Sequence, residues 1–396
     1  MKIGILTQPL HRNYGGIIQN WALQQTLRRL GHEPQMIHRY TYAPKLTPKL
    51  VARRSLGFAK WTLLKLFGCA KKRCICSPFE RVYDVTGPRY ADPRFIRRHI
   101  AQSPILYSNE EFDRWINNSH YDAFVVGSDQ VWRSAYSPNL STYFLDFLKD
   151  TSEDPRPRVA YAASFGTDVD YIKPEQMPDA IEGLRRRFTA VSVREDGGLR
   201  IAQQVFGRKD AIKTLDPTLL LSADDYRTII TNTDQHRIKK DAPYIAAYIL
   251  DDTDEKRQIL ADLEARTGLK AKRMTTEFDG TPMPTISQWL ATFDGASFVI
   301  TDSFHGSVFA TIFGCPFIAI GNEFRGMDRF TSLLGMLGIE NRLILSFDDY
   351  QRLTPDLLVP RNVADTTTFP GIEATQRLNA LRRQSLAFLR NSLTPS

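Results

Sequence analysis

The chain has 396 residues, of which 42% are hydrophobic and 24% charged, and its formal net charge is +8 at pH 7. This composition is typical of a folded globular protein, and no apolar run is long enough to span a bilayer. The four cysteines show neither a zinc-ligand spacing nor a disulfide framework, and no cleavable apolar segment follows Met1, so free thiols and a cytoplasmic location are expected. A chain of this length rarely folds around a single hydrophobic core, so we expect two domains.

Apolar runs that end in polar residues and lead into helices or loops recur along the first 220 residues. The first run, Lys2 to Thr7, leads through the loop at residues 13–16 into a helix with an apolar side that stops at Gly31. Four later runs end in Gly127-Ser128-Asp129-Gln130, Ser164-Phe165-Gly166, Arg194-Glu195-Asp196 and Asp216-Pro217. Strands that alternate with helices in this way predict a parallel sheet with helices on both faces.

A polar connector over residues 222–241 separates this region from a second series of elements. The series contains strands near 243–250, 270–274 and 296–300 and helices near 253–267, 287–293 and 304–313. We therefore predict an α/β fold with two Rossmann-like, doubly wound parallel-sheet domains. The N-terminal domain would cover residues 1–225 and the C-terminal domain residues 240–345. Residues 346–396 would form a tail whose terminal helix packs back on a domain.

His305 is the most informative residue, because it lies at the start of a predicted helix directly after a buried strand. In open α/β sheets, ligands bind where strand carboxyl ends meet helix N-termini. The free N–H groups and dipole of a helix N-terminus favour an anionic ligand, and they favour the neutral form of an imidazole. A neutral histidine can accept or relay protons. A histidine at such a turn can also simply cap or pack.

The basic charge of the chain is concentrated in one stretch. Residues 34–79 contain no acidic residue and carry a charge of +10, and the whole chain carries +8, so the remainder carries −2. Apolar side chains lie between the basic ones, a pattern typical of a helix on an anionic bilayer surface. We predict a basic insertion over residues 41–79 that contacts an anionic membrane through residues 45–73. A solvated insertion over the acceptor cleft, or a patch for an acidic polymer, stays open. Nucleic acid is not expected, because no recognition motif accompanies the patch.

Several familiar signatures are missing from the sequence. The loop at residues 13–16 lacks the G-x-G-x-x-G spacing, and no P-loop, H-E-x-x-H or G-x-S-x-G motif occurs. No clustered set of Asp, Glu and His ligands is apparent, so neither a metal nor a cofactor is expected. What remains is an anion site built from helix N-termini, arginines and one histidine.

In their order and spacing, the motifs of this chain resemble those of the polysaccharide pyruvyl transferase family. The motifs are Asn13-Tyr14-Gly15-Gly16, Gly127-Ser128-Asp129-Gln130-Val131-Trp132, Ser164-Phe165-Gly166, Ser192-Val193-Arg194-Glu195, Asp216-Pro217, Thr301-Asp302-Ser303-Phe304-His305-Gly306 and Arg329-Phe330. The resemblance implies a two-domain fold like that of GT-B glycosyltransferases. It also implies transfer of the pyruvyl unit of phosphoenolpyruvate onto two hydroxyls of a sugar, which forms a cyclic ketal and releases phosphate.

The same resemblance implies roles for individual residues. Arg194 would bind the phosphate or carboxylate of phosphoenolpyruvate, and His305 would contact the phosphate or transfer a proton. Asp129 and Glu195 are candidates for deprotonating the acceptor hydroxyls, although acidic residues at strand ends often only cap the next helix. The remaining candidates for substrate binding are Asn13, Tyr14, Gly15, Gly16, Ser128, Gln130, Ser164, Asp302, Ser303 and Gly306.

One position departs from the family pattern. Better-studied relatives carry an Arg two residues before the motif His, whereas this chain has Ser303 there. The second guanidinium for the donor would then come from Arg325 or Arg329, the nearest arginines by sequence after the next strand.

The acceptor is expected to be a sugar of a bacterial-type surface polysaccharide or of its lipid-linked oligosaccharide precursor, at the inner face of the cytoplasmic membrane. Two alternatives stay open. A GT-B glycosyltransferase that uses a nucleotide sugar would share the architecture, with Glu323 placed to bind the donor ribose. A non-catalytic protein could instead bind acidic glycan or membrane through the basic stretch.

Overall fold

The computed structural model describes residues 1–10, 13–40, 47–66, 92–166, 172–274, 283–321, 326–362 and 369–394. These residues form two parallel sheets, one of six strands and one of five. The strands of the first sheet are β1 (Lys2–Leu6), β2 (Glu33–Met36), β3 (Ala123–Val126), β4 (Arg158–Ala163), β5 (Ala190–Val193) and β6 (Ile212–Lys213). The strands of the second are β7 (Tyr244–Tyr248), β8 (Lys270–Arg273), β9 (Phe298–Thr301), β10 (Phe317–Ile320) and β11 (Leu343–Ile344).

Helices cover both faces of each sheet. They are α1 (Tyr14–Arg29), α2 (Pro48–Leu66), α3 (Pro93–His99), α4 (Asn109–Ser119), α5 (Met177–Arg186), α6 (Asp196–Arg200), α7 (Ala223–Arg227), α8 (Asn232–Lys240), α9 (Asp254–Thr267), α10 (Ile286–Asp294), α11 (Phe304–Ile312), α12 (Met327–Leu337), α13 (Phe347–Gln351) and α14 (Ile372–Ser392). The central strands are buried on both faces, so β3 and β9 consist almost entirely of apolar residues. Within the described residues, no helix has both the length and the apolar character needed to cross a membrane.

The two sheets share one strand order. The first runs β2-β1-β3-β4-β5-β6. Read from its other edge, the second runs β8-β7-β9-β10-β11, which matches the first five strands of the first sheet when β7 is counted as the first strand. In such a sheet the order reverses beside the first strand, and the carboxyl ends of the strands leave a crevice there. These crevices lie between β1 and β3 and between β7 and β9. The loops that precede α1 and α11 are therefore placed for ligand binding.

The six-stranded sheet with its helices forms the first half of the molecule, and the five-stranded sheet with its helices forms the second. Helix α14 packs against both halves. Arg382 donates hydrogen bonds to the carbonyls of Leu219 (2.6 Å) and Leu221 (3.1 Å), beyond the end of the first sheet. Nearer its N-terminus, Leu378 is buried and Arg377 lies against Gly338 at the end of α12. The predicted class of two parallel-sheet domains with a terminal helix packing back is confirmed.

The connector at residues 222–241 is largely helical, because Ser222 and Asp225 form a capping box for α7 and Ser287 on α10 hydrogen-bonds Asp234 on α8 at 2.5 Å. The change from the first sheet to the second falls within this region, while the domain limits themselves stay a prediction. Of the basic insertion, residues 41–46 and 67–79 lie outside the described residues, and α2 occupies most of the rest.

Candidate active site

The loops at the carboxyl ends of the two sheets meet across a closed cleft. Tyr14, at the start of α1, stacks on Trp289 of α10, with ring centroids 5.4 Å apart and ring planes 6° from parallel. Its hydroxyl donates a 2.5 Å hydrogen bond to the carbonyl of Pro284. Elsewhere in the cleft, the Asp328 carboxylate of α12 accepts a hydrogen bond from the Gly197 amide of α6 at 2.7 Å. The two halves are thus held together at both places.

His305 crosses the cleft to contact the first half. It lies in the first turn of α11, whose N-cap Ser303 accepts a hydrogen bond from the Gly306 amide. A Cβ atom added to Gly15 would lie 2.0 Å from Nδ1 of His305. The backbone of the 13–16 loop therefore approaches the imidazole so closely that a side chain at position 15 cannot fit.

Arg194, which follows β5, is surrounded by three carboxylates. Its Nη1 lies 2.8 Å from Asp216 Oδ2, its Nη2 3.5 Å from Asp129 Oδ1, and its Nε 3.5 Å from Glu195 Oε1. The side chain is buried, which alone would lower its pKa, but the three carboxylates raise the pKa of Arg194 above its usual value. The guanidinium is therefore permanently charged and held in one orientation.

A second arginine, Arg329 of α12, approaches the same place from the other half. Its guanidinium carbon lies 5.8 Å from the ring centroid of Phe304, and that of Arg194 lies 4.9 Å from the same ring. Burial, together with the nearby charge of Arg194, lowers the pKa of Arg329 to about 10. Arg329, one of the two arginines that the sequence analysis offered as the second guanidinium for the donor, thus lies near Arg194, against the ring of Phe304.

These contacts define one charged cluster, which consists of Arg194, Arg329, His305, Phe304, Asp129, Glu195 and Asp216. Several of its buried polar atoms lack a hydrogen-bond partner among the described residues. They are Nε2 of His305, Nε and Nη2 of Arg194, Nε of Arg329 and Oε2 of Glu195. Most buried polar atoms in folded proteins have a partner, so such a concentration is typical of a site whose ligand supplies the missing bonds. Most of these atoms are cationic or neutral donors, which suits an anionic ligand. Among the described residues, no group of three or more His, Cys, Asp or Glu is arranged to hold a metal ion.

Two groups of the cluster are suited to proton transfer. Burial lowers the pKa of His305 below its usual value, against the opposing effect of Asp216 and Asp129, so the neutral imidazole is favoured in the closed cleft. Burial raises the pKa of Glu195, although Arg194 and a 2.5 Å hydrogen bond from the Ser164 hydroxyl counteract it. Titratable groups whose pKa values are displaced in this way are common in active sites.

The 127–130 loop lies beside the cluster and is held in place by hydrogen bonds. The amide nitrogen Nδ2 of Asn13 lies 3.5 Å from Asp129 Oδ2, and the Ser128 hydroxyl donates to the carbonyl of Ala162 at 2.9 Å. The carbonyl of Gln130 accepts a 2.7 Å hydrogen bond from Gln8 Nε2, which fixes the end of the loop. Gly16 lies against Asn13, within the first turn of α1.

Some predicted residues lie outside the cluster. The Asp302 carboxylate accepts hydrogen bonds from the backbone amides of Leu250 (2.6 Å) and Asp251 (3.0 Å) and from Lys256 Nζ (2.7 Å), so it fixes the loop after β7. Gly306 packs against the Thr301 side chain and does not face the arginines. Arg325 and Glu323 fall outside the described residues.

Two members of the cluster received no role from the sequence. Asp216 contacts Arg194, and Phe304 provides the ring beside both arginines. Asp216 follows the last strand of the first sheet, so its position at a strand end could have revealed it. Phe304 gave no such signal, because an aromatic residue between a strand and a helix is usually part of the core.

Solved structures that cover nearly the whole of this chain are similar to it in fold. The UDP-N-acetylglucosamine 2-epimerase from Rickettsia bellii matches with a TM-score of 0.51 and 9% identity, covering 98% of this chain and 96% of that one. The UDP-GlcNAc 2-epimerase from Neisseria meningitidis, bound to UDP-GlcNAc, matches with a TM-score of 0.50 and 10% identity, covering 98% and 99%. The spinosyn rhamnosyltransferase SpnG matches with a TM-score of 0.45 and 10% identity, covering 99% of each chain. The predicted GT-B-like fold class is confirmed.

Sequence comparison is more specific than fold comparison for this chain. Comparison with curated proteins gives no significant match. The family model for polysaccharide pyruvyl transferase, in contrast, matches residues 13–323, which include the 13–16 loop, Arg194, Asp216 and His305. The match spans most of the chain and includes strands of both sheets, and the chain therefore belongs to the polysaccharide pyruvyl transferase family.

Proposed function

We propose that this transferase moves the pyruvyl group of phosphoenolpyruvate onto two hydroxyls of a sugar, forming a cyclic ketal and releasing phosphate. The acceptor would belong to a surface polysaccharide or to its lipid-linked precursor. The observation that carries the proposal is the meeting of Arg194 and Arg329 beside His305, with each half of the molecule supplying one arginine. Membership of the family supports the same conclusion.

The donor matches the two guanidinium groups of the cluster. Phosphoenolpyruvate carries a phosphate and a carboxylate, and guanidinium groups bind both through paired, charge-assisted hydrogen bonds. Arg194 is already held by carboxylates of the first half, so it would orient one anionic group. Arg329, whose Nε has no hydrogen-bond partner among the described residues, would bind the other. The donor would thereby tie the two halves together.

The reaction needs one proton donor and one proton acceptor. His305 would protonate the methylene carbon of the donor, which turns its C2 into an oxocarbenium-like centre. The first sugar hydroxyl attacks C2, and its proton passes to Asp129 or Glu195. The second hydroxyl then displaces phosphate and closes the ring. One hydroxyl proton replaces the proton given by His305 and the other leaves with phosphate, so atoms and charges balance.

Phosphate release tests this proposal directly. The protein should release phosphate from phosphoenolpyruvate only when a sugar diol or a lipid-linked glycan is present, and mass spectrometry should find the added pyruvyl group on that glycan. Turnover should persist in a chelator, because we propose chemistry without a metal. Release of nucleotide from a nucleotide sugar, with no phosphate from phosphoenolpyruvate, would instead support the glycosyltransferase alternative.

We further propose that α2 brings the enzyme to an anionic membrane surface where a lipid-linked acceptor would lie. The support is an exposed apolar stripe on α2: Leu56, Leu63 and Leu66 are 74%, 57% and 77% exposed. Their spacing places them on one side of the helix, and Lys49, Arg53 and Lys60 border that side. An apolar stripe edged by basic residues is typical of helices that lie in the headgroup region.

A further inference from the structure

Asp216 is the most completely held carboxylate of the cluster. It follows β6, and its side chain is fully buried. Its Oδ1 accepts hydrogen bonds from the backbone amide (3.0 Å) and the hydroxyl (2.6 Å) of Thr218. Its Oδ2 accepts from Arg194 Nη1 at 2.8 Å and lies 3.3 Å from the Ser128 hydroxyl. These contacts all come from the first half of the molecule, so the position of the carboxylate does not depend on the second half.

The same oxygen faces His305 across the cleft. Oδ2 of Asp216 lies 3.9 Å from Nε2 of His305, which is beyond hydrogen-bond length but close enough for a strong charge interaction. Nε2 is buried and has no hydrogen-bond partner among the described residues. Four charged groups act on this imidazole: Asp216 and Asp129 favour its protonation, while Arg194 and Arg329 oppose it. Asp216 is the stronger of the two favourable groups.

We propose that Asp216 is a positioning residue that fixes Arg194 for the donor and, through its charge beside Nε2, favours the protonated form of His305. This inference rests on the proposed pyruvyl transfer. Burial and two arginines favour the neutral imidazole, which is a poor acid for a carbon atom, and the Asp216 carboxylate partly offsets them. A fixed carboxylate 3.9 Å from Nε2 stabilises the imidazolium without accepting its proton in a hydrogen bond. Nδ1 lies against the Gly15 loop, so Nε2 is the ring nitrogen that faces the charged cluster.

Histidine titration by NMR tests the inference without any substrate. The protein has seven histidines, and His305→Ala identifies the resonance of His305 in protein labelled at histidine. In Asp216→Asn the titration midpoint of His305 should fall by about one pH unit or more, because the opposite charge is lost. Asp210→Asn is the matched control: Asp210 also pairs with an arginine, Arg208, but lies at the other end of β6. An unchanged midpoint in Asp216→Asn would overturn the inference.

A kinetic measurement gives the second test. The limb of the pH profile of kcat/KM that belongs to His305 should move to lower pH in Asp216→Asn, whereas a purely structural role would lower the rate at every pH equally. In a His305→Ala background, Asp216→Asn should add little further loss of kcat, because the two residues act as a unit. Additive losses would argue against the coupling.

A second variant, Thr218→Val, covers the case in which Asp216→Asn does not fold, and two combined outcomes separate this inference from the proposed function. If Asp216→Asn does not fold, Thr218→Val keeps the charge but removes the 2.6 Å hydroxyl contact, and it should shift the His305 midpoint in the same direction by less. No shift in that variant would overturn the inference. A midpoint that moves in a protein that does not consume phosphoenolpyruvate would refute the proposed function alone. Turnover with an immobile midpoint would refute the role of Asp216 alone.

Discussion

Gly15 and His305 belong to opposite halves of the molecule, yet a methyl group on Gly15 would lie 2.0 Å from Nδ1 of the imidazole. This contact requires the cleft to be closed, and the closed cleft also brings His305 within 3.9 Å of Asp216. The missing side chain at position 15 is thus what allows the histidine to reach the charged cluster of the first half.

Replacing Gly15 with alanine should therefore block closure. We expect Gly15→Ala to fold with nearly unchanged secondary structure but to lose at least about 100-fold in kcat, because misplaced catalytic groups lose most of their effect. Gly57→Ala is the control, since no atom lies within 4 Å of a Cβ at Gly57. Circular dichroism and initial rates of phosphate release are the measurements. Full activity in Gly15→Ala would show that the reaction does not pass through this closed arrangement.

Removing either central group of the cluster should nearly abolish turnover. We expect His305→Ala and Arg194→Ala each to lower kcat/KM by at least about 100-fold, the usual scale for losing an acid–base group or a charge-assisted contact in a buried site. Phosphate release from phosphoenolpyruvate and thermal unfolding should be measured on the same samples. A folded His305→Ala protein with a normal rate would leave His305 as a packing residue.

Arg329 should govern donor affinity. We expect Arg329→Ala to raise the Kd for phosphoenolpyruvate by about 10- to 100-fold, because a hydrogen bond to a charged group contributes about 1.5–3 kcal/mol. Calorimetric titration measures this without an acceptor. Arg352→Ala, whose side chain is 73% exposed, is the control and should bind the donor normally. Arg325→Ala should be measured in parallel, and a large effect there with none at Arg329 would assign the second guanidinium to Arg325.

Protonation of His305 should destabilise the closed protein at acid pH. Burial lowers the pKa of this imidazole below 6.5, so just below that pH the unfolded chain binds more protons than the folded one. The stabilising contribution is complete above pH 6.5 and is lost as the pH falls through the folded pKa. The decline of Tm between about pH 7.5 and 5.5 should therefore be shallower in His305→Ala than in the wild type. Parallel curves would contradict the assignment.

The exposed stripe of α2 should bind anionic vesicles in a salt-sensitive way. Replacing Leu56, Leu63 and Leu66 with serine should weaken flotation with such vesicles and slow turnover of a lipid-linked glycan, yet spare a soluble sugar analogue. Reversing the charge of Lys49, Arg53 and Lys60 should do the same, since each basic residue near such a surface contributes about 1 kcal/mol.

Ile372→Ser is the control for this experiment, because Ile372 is 79% exposed but lies on α14. Equal flotation of the serine variant and the parent would exclude membrane binding through this stripe. Equal loss on both acceptors would instead indicate that α2 forms part of the cleft.

The sequence by itself determined the local structure and the chemistry of the residues at strand ends. Continuous apolar runs such as Phe298–Thr301 are typical of buried parallel strands, and a polar residue directly after such a strand lies at the carboxyl end of its sheet. That local argument places Arg194, Glu195, Asp129 and His305 at strand ends, and the family resemblance supplied their expected roles. It could not distinguish Asp302 from them, because Asp302 ends a strand in the same way.

Only the tertiary structure decided which of these residues meet. The two sheets share one strand order without a visible sequence repeat, so their ligand crevices could not be matched from the sequence. Contacts such as those of Asp216 with His305 and of Gly15 with Nδ1 join residues that are far apart in the chain. They depend on the packing of one half against the other, which no local pattern encodes. Packing within the second half, in turn, directs the Asp302 carboxylate toward Lys256.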